Sequence, residues 1–121
     1  EILFNEPSSH NQMATIDSFC ENSQECYKTG KRYKVTTISL LDLLEIHNAP
    51  RLIDYLSIDT EGSEYEILNA FDFQKYKFRV ITCEHNFTPM REKIYDLLIN
   101  KGYTRKLTNI SRVDDWYVYD Y

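Results

Sequence analysis

The sequence predicts an α/β fold whose sheet is mostly parallel and ends in an antiparallel pair of strands. Runs typical of strands at 33–38, 54–58 and 79–84 are each followed by apolar residues at helical spacing. This order favours repeated strand–helix units, whose crossovers keep successive strands parallel. Two further strand patterns, 103–110 and 116–120, follow each other without a helix between them. They are close enough to pair as an antiparallel hairpin.

Length and charge narrow the classes of protein to which the chain can belong. Its 121 residues suit about one domain, and its net charge of −5 argues against nucleic acid or an anionic membrane surface as the main partner. No apolar run approaches the ~20 residues of a transmembrane helix. The first residues lack the basic start and long apolar stretch of a signal peptide. We therefore expect a cytoplasmic protein with a small-molecule partner and neither a nucleic-acid nor a membrane partner.

The three cysteines, Cys20, Cys26 and Cys83, argue against a disulfide framework because their number is odd and their spacing wide. Cys83 falls within an apolar run and is predicted to be a small core residue. Cys20 and Cys26 lie in a polar segment with His10 nearby, which leaves a metal site as an alternative. Zinc sites use tighter spacings such as Cys-x2-Cys, so reduced thiols are the prediction.

The chain divides into two predicted segments. Residues 1–32 contain loop-forming residues and few periodic patterns, and they are expected to be an irregular amino-terminal arm. Residues 33–121 carry the strand–helix units. Within them, Ser39 is expected to cap a helix that ends before Pro50, and Gly62 permits the turn that precedes the next helix.

Polar side chains follow two neighbouring strands of the predicted sheet, at the point where each strand ends. Asp59 and Glu61 follow the strand at 54–58, and Glu84, His85 and Asn86 close the strand at 79–84. In open α/β sheets, ligands bind at this edge. Such a set suits a hard divalent cation or acid–base chemistry at a substrate hydroxyl. The alternative is structural: the two acids satisfy turn amides, and the histidine is an ordinary loop residue.

Three segments of the chain carry distinctive motifs. Residues 38–44 read Ile-Ser-Leu-Leu-Asp-Leu-Leu, and residues 57–64 read Ser-Ile-Asp-Thr-Glu-Gly-Ser-Glu. Residues 80–85 read Val-Ile-Thr-Cys-Glu-His. Together these segments resemble the FkbM family of methyltransferases, and the acidic turn at 59–64 is the most specific of the matches. The resemblance covers roughly 33–120.

The resemblance implies a fold, an activity and a set of site residues. It implies a seven-stranded Rossmann-like sheet of which residues 33–121 form the carboxyl-terminal half, with strands four to seven. The implied cofactor is S-adenosylmethionine, and the implied reaction is methyl transfer to the hydroxyl oxygen of a small substrate. The implied catalytic residues are Asp59, Glu61, Glu84 and His85, with Asp59 also contacting the cofactor. By analogy with metal-dependent O-methyltransferases of the catechol type, Asp59, Glu84 and Asn86 would bind a cation such as Mg²⁺.

One feature of that family is missing from this sequence. The family's cofactor motif is a glycine-rich turn after the first strand, whereas Gly30 is the only glycine before Gly62. We therefore expect a fragment-like chain that binds the cofactor weakly or not at all. Without earlier strands, the apolar strand at 54–58 is an exposed edge, which predicts a homo-oligomer formed through it or its cover by the amino-terminal arm.

Two other functions remain open at the level of sequence. Asp59-Thr60-Glu61 after an apolar strand also resembles the acidic motif of a metal-dependent glycosyltransferase, although that motif usually ends in Asp. The third possible function is that of a non-catalytic α/β interaction module. Binding of manganese and a nucleotide diphosphate would favour the glycosyltransferase.

Overall fold

The computed structural model describes residues 1–8, 13–20 and 28–120. His10 and Cys26, considered above as metal ligands with Cys20, lie outside these residues. The chain divides into two compact units. The amino-terminal unit comprises Glu1–Ile38 and Thr60–Ser63, and the carboxyl-terminal unit comprises Ser39–Asp59 and Glu64–Tyr121.

The amino-terminal unit contains a three-stranded antiparallel sheet. Its strands are β1 (Ile2–Glu6), β2 (Thr15–Ile16) and β3 (Lys31–Val35), in the order β2-β1-β3. The strand predicted at 33–38 is thus β3, but its assignment to a parallel sheet is wrong, because it pairs antiparallel with β1. Alternation identifies a strand without identifying its partner. Strands β1 and β2 lie within the amino-terminal segment 1–32, in which Ile2, Leu3 and Phe4 are the residues with a strand-like pattern.

The carboxyl-terminal unit contains a four-stranded mixed sheet, which confirms the α/β class. Its strands are β4 (Leu52–Ile58), β5 (Lys77–Glu84), β6 (Tyr103–Lys106) and β7 (Asp114–Tyr119), in the order β4-β5-β7-β6. Strands β4 and β5 are parallel, and β7 is antiparallel to both of its neighbours. Three of these four strands therefore point in one direction. The predicted antiparallel terminal pair is confirmed as β6 and β7.

Three α-helices belong to the carboxyl-terminal unit: α1 (Leu40–Ile46), α2 (Glu64–Ala70) and α3 (Met90–Ile99). Ser39 caps α1 as predicted, because its hydroxyl oxygen accepts a hydrogen bond from the Asp42 amide at 3.0 Å. His47 is the C-cap of this helix, three residues before Pro50. Among the described residues, no helix is both long and apolar enough to cross a membrane.

The core of this unit lies where β5 and β7 meet α2 and α3. Cys83 is buried there, which confirms its predicted role, and burial raises the pKa of its thiol. Burying one large apolar side chain contributes about 1.5–3 kcal/mol. The largest apolar side chains that are almost fully enclosed are Leu68, Phe78, Ile81, Ile94, Leu98 and Tyr117. This core fixes the strand ends on which the candidate site depends.

Strand β4 is the edge of its sheet, since β5 is its one partner among the described strands. Tyr55, in the middle of β4, is 53% exposed, and its hydroxyl shares a 2.7 Å hydrogen bond with the Thr82 hydroxyl. Self-association through 54–58 stays a prediction. Sedimentation velocity tests it, and a monomer at high protein concentration would contradict it.

Candidate active site

Two carboxylates meet at the carboxyl ends of the parallel strands β4 and β5. Ile58, the last residue of β4, pairs with Cys83, so Asp59 and Glu84 come next on neighbouring strands. One carboxylate oxygen of Asp59 lies within 4.8 Å of one carboxylate oxygen of Glu84. Asp59 is exposed and Glu84 is half-buried. The pair can therefore receive a ligand from solvent while the strands hold its position.

A pair of carboxylates at this spacing accepts hydrogen bonds and protons. A substrate hydroxyl placed between Asp59 and Glu84 could donate to one oxygen while the other carboxylate orients the substrate. The same oxygens are ligands of the type that Mg²⁺ and Ca²⁺ prefer. The distance between the two carboxylates is compatible both with acid–base chemistry at a hydroxyl and with cation binding.

Glu61 lies in the turn 60–63, which belongs to the amino-terminal unit. Its backbone is left-handed, with φ of 56°. The buried Thr15 hydroxyl donates to the carbonyl oxygens of Thr60, at 3.1 Å, and Glu61, at 2.8 Å. The Ser63 hydroxyl donates to the Thr60 hydroxyl at 2.8 Å. The acidic turn is thus fixed by β2, a support that sequence reasoning missed because Thr15 lies in an uninformative segment.

His85 is buried and engaged within the protein. It is 5% exposed, and its Nδ1 accepts a hydrogen bond from the Phe87 amide at 2.9 Å. Its Nε2 lies 3.7 Å from Oδ1 of Asp115, beyond hydrogen-bond distance, and has no closer partner among the described residues. Because Nδ1 accepts, the proton of the neutral ring is on Nε2. Burial lowers the pKa of His85 despite the nearby Asp115 carboxylate.

Asp115 is a buried carboxylate surrounded by cations. It is 2% exposed, and Arg91 from α3 donates to both of its oxygens, at 2.7 and 2.8 Å. Arg105 from β6 donates to Oδ2 at 3.2 Å. Burial raises the pKa of Asp115, but the hydrogen bonds and charge of Arg91, helped by His85 and Arg105, outweigh burial and lower it. We call Asp115, Arg91, Arg105 and His85 the buried charge cluster.

The buried charge cluster could have been partly found from the sequence. Side chains on a strand alternate between two faces, and Tyr117 of β7 is fully buried. Extending that alternation back by two residues places Asp115 on the buried face. A carboxylate facing a core requires cationic partners. No local signal could have identified Arg91, which is 24 residues away on a helix.

The residues that follow His85 form a tight turn without glycine. Asn86 and Phe87 have φ values of 44° and 57°, and the Thr88 amide donates to the His85 carbonyl at 2.8 Å. Positive φ at both central residues with this hydrogen bond is a type I′ β-turn. Asn86 and Phe87 are exposed. Asn86, predicted as a metal ligand, is thus the first central residue of a turn that directly follows Glu84 and His85.

A family model described as the methyltransferase FkbM domain matches residues 1–105. The chain belongs to the FkbM methyltransferase family. The match begins at residue 1, so it includes the 32 residues that the motifs of the sequence had left outside the resemblance. A search of curated proteins and a search of solved structures each gave no match.

Membership of the FkbM family implies S-adenosylmethionine as the methyl donor, and the glycines test whether the described residues could cradle it. A Cβ atom at Gly30 would lie 2.2 Å from Oδ1 of Asn5, and one at Gly62 would lie 3.2 Å from Cβ of Phe19. Both glycines therefore pack against protein atoms. Neither offers the open backbone that a cofactor turn needs, so the described residues do not fit a glycine-rich donor cradle.

Proposed function

We propose that this FkbM-family chain carries the acceptor side of an O-methyl transfer, in which Asp59 and Glu84 bind a substrate hydroxyl and one of them takes its proton. The observation that carries the proposal is the approach of two carboxylates at the ends of adjacent parallel strands. Ligands of open α/β sheets bind at this edge. Family membership supplies the reaction class.

The chemistry that these residues must perform is modest. S-adenosylmethionine supplies, when bound, an electrophilic methyl group on a positively charged sulfur. Asp59 and Glu84 would hold the acceptor hydroxyl, and one of the two carboxylates would accept its O–H proton as the oxygen is methylated. Alignment of the acceptor is the largest requirement. Asp59 and Glu84 would meet it by holding the hydroxyl at a fixed point of the sheet edge.

The remaining predicted site residues differ in how well their surroundings suit catalysis. The half-exposed Glu61 stays a candidate base. His85 suits it less, because its Nδ1 lone pair already accepts the Phe87 amide and its Nε2 faces the buried Asp115. Within the proposal, His85 is a positioning residue for the turn 85–88. Asp59 would in addition contact the donor, as the family resemblance implies.

The same carboxylate oxygens could instead bind a divalent cation. In that case Asp59 and Glu84, with Asn86, would hold Mg²⁺, and the cation would orient the acceptor hydroxyl. A calorimetric titration with MgCl2 decides between the two uses. Heat of Mg²⁺ binding that is present in the unchanged chain and absent in Asn86→Ala favours the cation. A titration of the unchanged chain that is indistinguishable from a titration of buffer favours the metal-free arrangement.

The strand order supports the assignment of the four-stranded sheet to the carboxyl-terminal part of a Rossmann-like methyltransferase sheet. β7 is inserted antiparallel between β5 and β6, as expected for strands four to seven. The proposal predicts weak donor binding, because neither Gly30 nor Gly62 is open to a ligand. Isothermal titration should give an affinity weaker than micromolar, and micromolar binding would contradict this prediction.

The choice of acceptor atom is tested by transfer of a labelled methyl group. The 121-residue chain is incubated with millimolar labelled donor and with separate pools of alcohols, amines and thiols. We expect label in the alcohol pool. Label in the amine or thiol pool alone would contradict O-methylation. No label in any pool would favour a non-catalytic module.

A further inference from the structure

The two faces of the four-stranded sheet carry different kinds of side chain. Ile81, Cys83 and Tyr117 are buried and pack with residues of α2 and α3 in the core. Successive side chains of a strand point to opposite faces, so Thr82 and Trp116 lie on the other face. Trp116 is 39% exposed there. The second face therefore presents an aromatic side chain that the core does not use.

A row of three side chains crosses this second face from β4 over β5 to β7. Thr82 pairs directly with Trp116, which places their Cβ atoms about 4.5–5.5 Å apart. From β4, the Tyr55 hydroxyl shares a 2.7 Å hydrogen bond with the Thr82 hydroxyl. Thr82 is 6% exposed, whereas Tyr55 is 53% exposed. We call Tyr55, Thr82 and Trp116 the aromatic row, in which two exposed aromatic side chains flank one small buried residue.

The aromatic row lies next to the acidic pair on the same face of the sheet. Glu84 follows Thr82 by two residues on β5, so its side chain points to the same face about 6.6 Å further along the strand. Glu84 pairs with Asp114 of β7 just as Thr82 pairs with Trp116. One carboxylate oxygen of Asp59 lies within 4.8 Å of one of Glu84. The acidic pair thus borders the row at the carboxyl ends of β4 and β5.

The direction of the Tyr55 side chain connects the row to that end of the sheet. The backbone of Tyr55 pairs with Val80, two residues before Thr82. Because its hydroxyl nevertheless bonds to Thr82, the side chain leans along β5 toward Glu84. A ligand that contacts the Tyr55 hydroxyl is therefore one side-chain position away from the Glu84 carboxylate.

We propose that the aromatic row is the platform on which the methyl acceptor lies, and that this acceptor is the pyranose ring of a sugar. The inference rests on the proposed function for the role of the ligand as the methyl acceptor. The apolar C–H face of the ring would cover Trp116 and remove apolar surface from water. Tyr55 and Trp116 are then specificity-determining residues of the acceptor site.

The polar groups around the platform favour a sugar over a planar aromatic ring. Asp59 and Glu84 would hold the hydroxyl that is methylated, and the hydroxyls of Tyr55 and Thr82 can both donate to and accept from a second one. These two positions are about 6.6 Å apart along β5, farther than two adjacent hydroxyls on a planar catechol can reach. A pyranose carries hydroxyls around most of its ring and can supply both contacts together with an apolar face.

Trp116 reports on the platform directly and without a methyl donor, because it is the single tryptophan of the chain. The 121-residue chain is titrated with the methyl pyranosides of glucose, galactose and mannose, and its fluorescence is recorded. In the ¹⁵N-labelled chain, the amide shifts of residues 82–84 and 116 give the affinities of the same sugars, of planar catechol and of acyclic glycerol. We expect at least one pyranoside to bind saturably, and more tightly than catechol or glycerol.

Two variants and two matched controls separate recognition from fold. Tyr55→Phe should weaken pyranoside binding by about fivefold, the effect of one lost hydrogen bond. Trp116→Leu, followed by amide shifts, should weaken it by at least about fivefold, because most of the apolar contact is lost. Tyr33→Phe alters an exposed tyrosine of β3, and Phe87→Leu alters an exposed aromatic ring that contacts His85. Both controls should bind as the unchanged chain does.

Several results would overturn the assignment of the platform. These are the absence of saturable binding by all three pyranosides, tighter binding of catechol, unchanged affinity in Tyr55→Phe or Trp116→Leu, or an equal loss in the controls. Melting temperatures within about 4 °C of the unchanged chain exclude a loss of fold, and Tyr55→Phe decides if Trp116→Leu falls further. Failure of the proposed function is seen separately, as pyranoside binding without methyl transfer to alcohols.

Discussion

The turns that follow β4 and β5 stabilise unfavourable backbone conformations in different ways. The turn 60–63 places a glycine, Gly62, at φ of 118°, where other residues are strained. The turn 85–88 has no glycine and places Asn86 and Phe87 at positive φ. The first is held by backbone carbonyls that accept from the Thr15 hydroxyl. The second is held by a ring nitrogen of His85.

The two turns thus differ in how the strain of a positive φ is compensated. The turn 60–63 has one non-glycine residue, Glu61, at positive φ and uses Gly62 for the larger φ of 118°. The hydroxyls of Thr15 and Ser63 fix this turn. A turn of Asn and Phe needs a rigid base, and the buried charge cluster supplies one. The stability of the second turn should therefore depend on distant residues. The stability of the first should depend chiefly on its own glycine.

The largest effect is expected from Asp115→Asn. The substitution leaves Arg91 and Arg105 without their buried counter-charge, and breaking such a cluster costs about 3–5 kcal/mol. Urea denaturation should show this loss as a lower free energy of unfolding. Amide shifts of residues 85–88 should also change, because the support of the turn is removed.

Asp114→Asn is the matched control for Asp115→Asn. Asp114 precedes it on β7 and is half-buried, so its substitution should change the free energy of unfolding by less than about 1 kcal/mol. Equal effects of the two substitutions would show that the buried charge cluster is not the base of the turn.

A smaller effect is expected from Gly62→Ala. A Cβ at φ of 118° is strained and would lie 3.2 Å from Cβ of Phe19, so the cost should be about 1–3 kcal/mol. Urea denaturation measures it, with the exposed Ser57→Ala as the control. Unchanged stability in Gly62→Ala would contradict the view that this turn depends on its glycine.

The smallest effect is a dependence of stability on pH through His85. Its pKa in the folded chain lies below the ordinary 6.5, so the unfolded chain binds more protons between those two values. Stability from this source is therefore complete above about pH 6.5 and falls as the pH drops toward the folded pKa. The groups that face His85 are Asp115, Asp114, Arg91 and Arg105.

Unfolding experiments between pH 7 and 5, with and without His85→Gln, measure this contribution. The fall in the free energy of unfolding should be steeper in the unchanged chain than in the variant. Asp115 does not interfere, because its pKa lies below 3.8 and its own contribution is lost only at lower pH. Parallel pH curves would contradict a buried neutral His85.

The sequence predicted those parts of the structure that have local signals. Apolar runs located β4 and β5, and capping chemistry located α1, so Asp59 and Glu84 were expected at one edge. The partner of β3 was predicted wrongly, because a strand pattern carries no information on what it pairs with. Thr15 and Arg91 were missed, since each acts on a residue at least 24 positions away in the chain. Asp115 was missed although the alternation of β7 places it on the same face as the buried Tyr117.

The proposed role of Asp59 and Glu84 is to bind and deprotonate an acceptor hydroxyl. The most direct measurement is the rate constant of methyl transfer to an alcohol at saturating substrate, compared among the unchanged chain, Asp59→Asn and Glu84→Gln. Asp54→Asn is the control, because Asp54 is an exposed acid of β4 that pairs with Arg79. We expect a loss of about 10²–10⁴-fold in at least one site variant and none in the control. Rates equal to that of the unchanged chain in both site variants would contradict it.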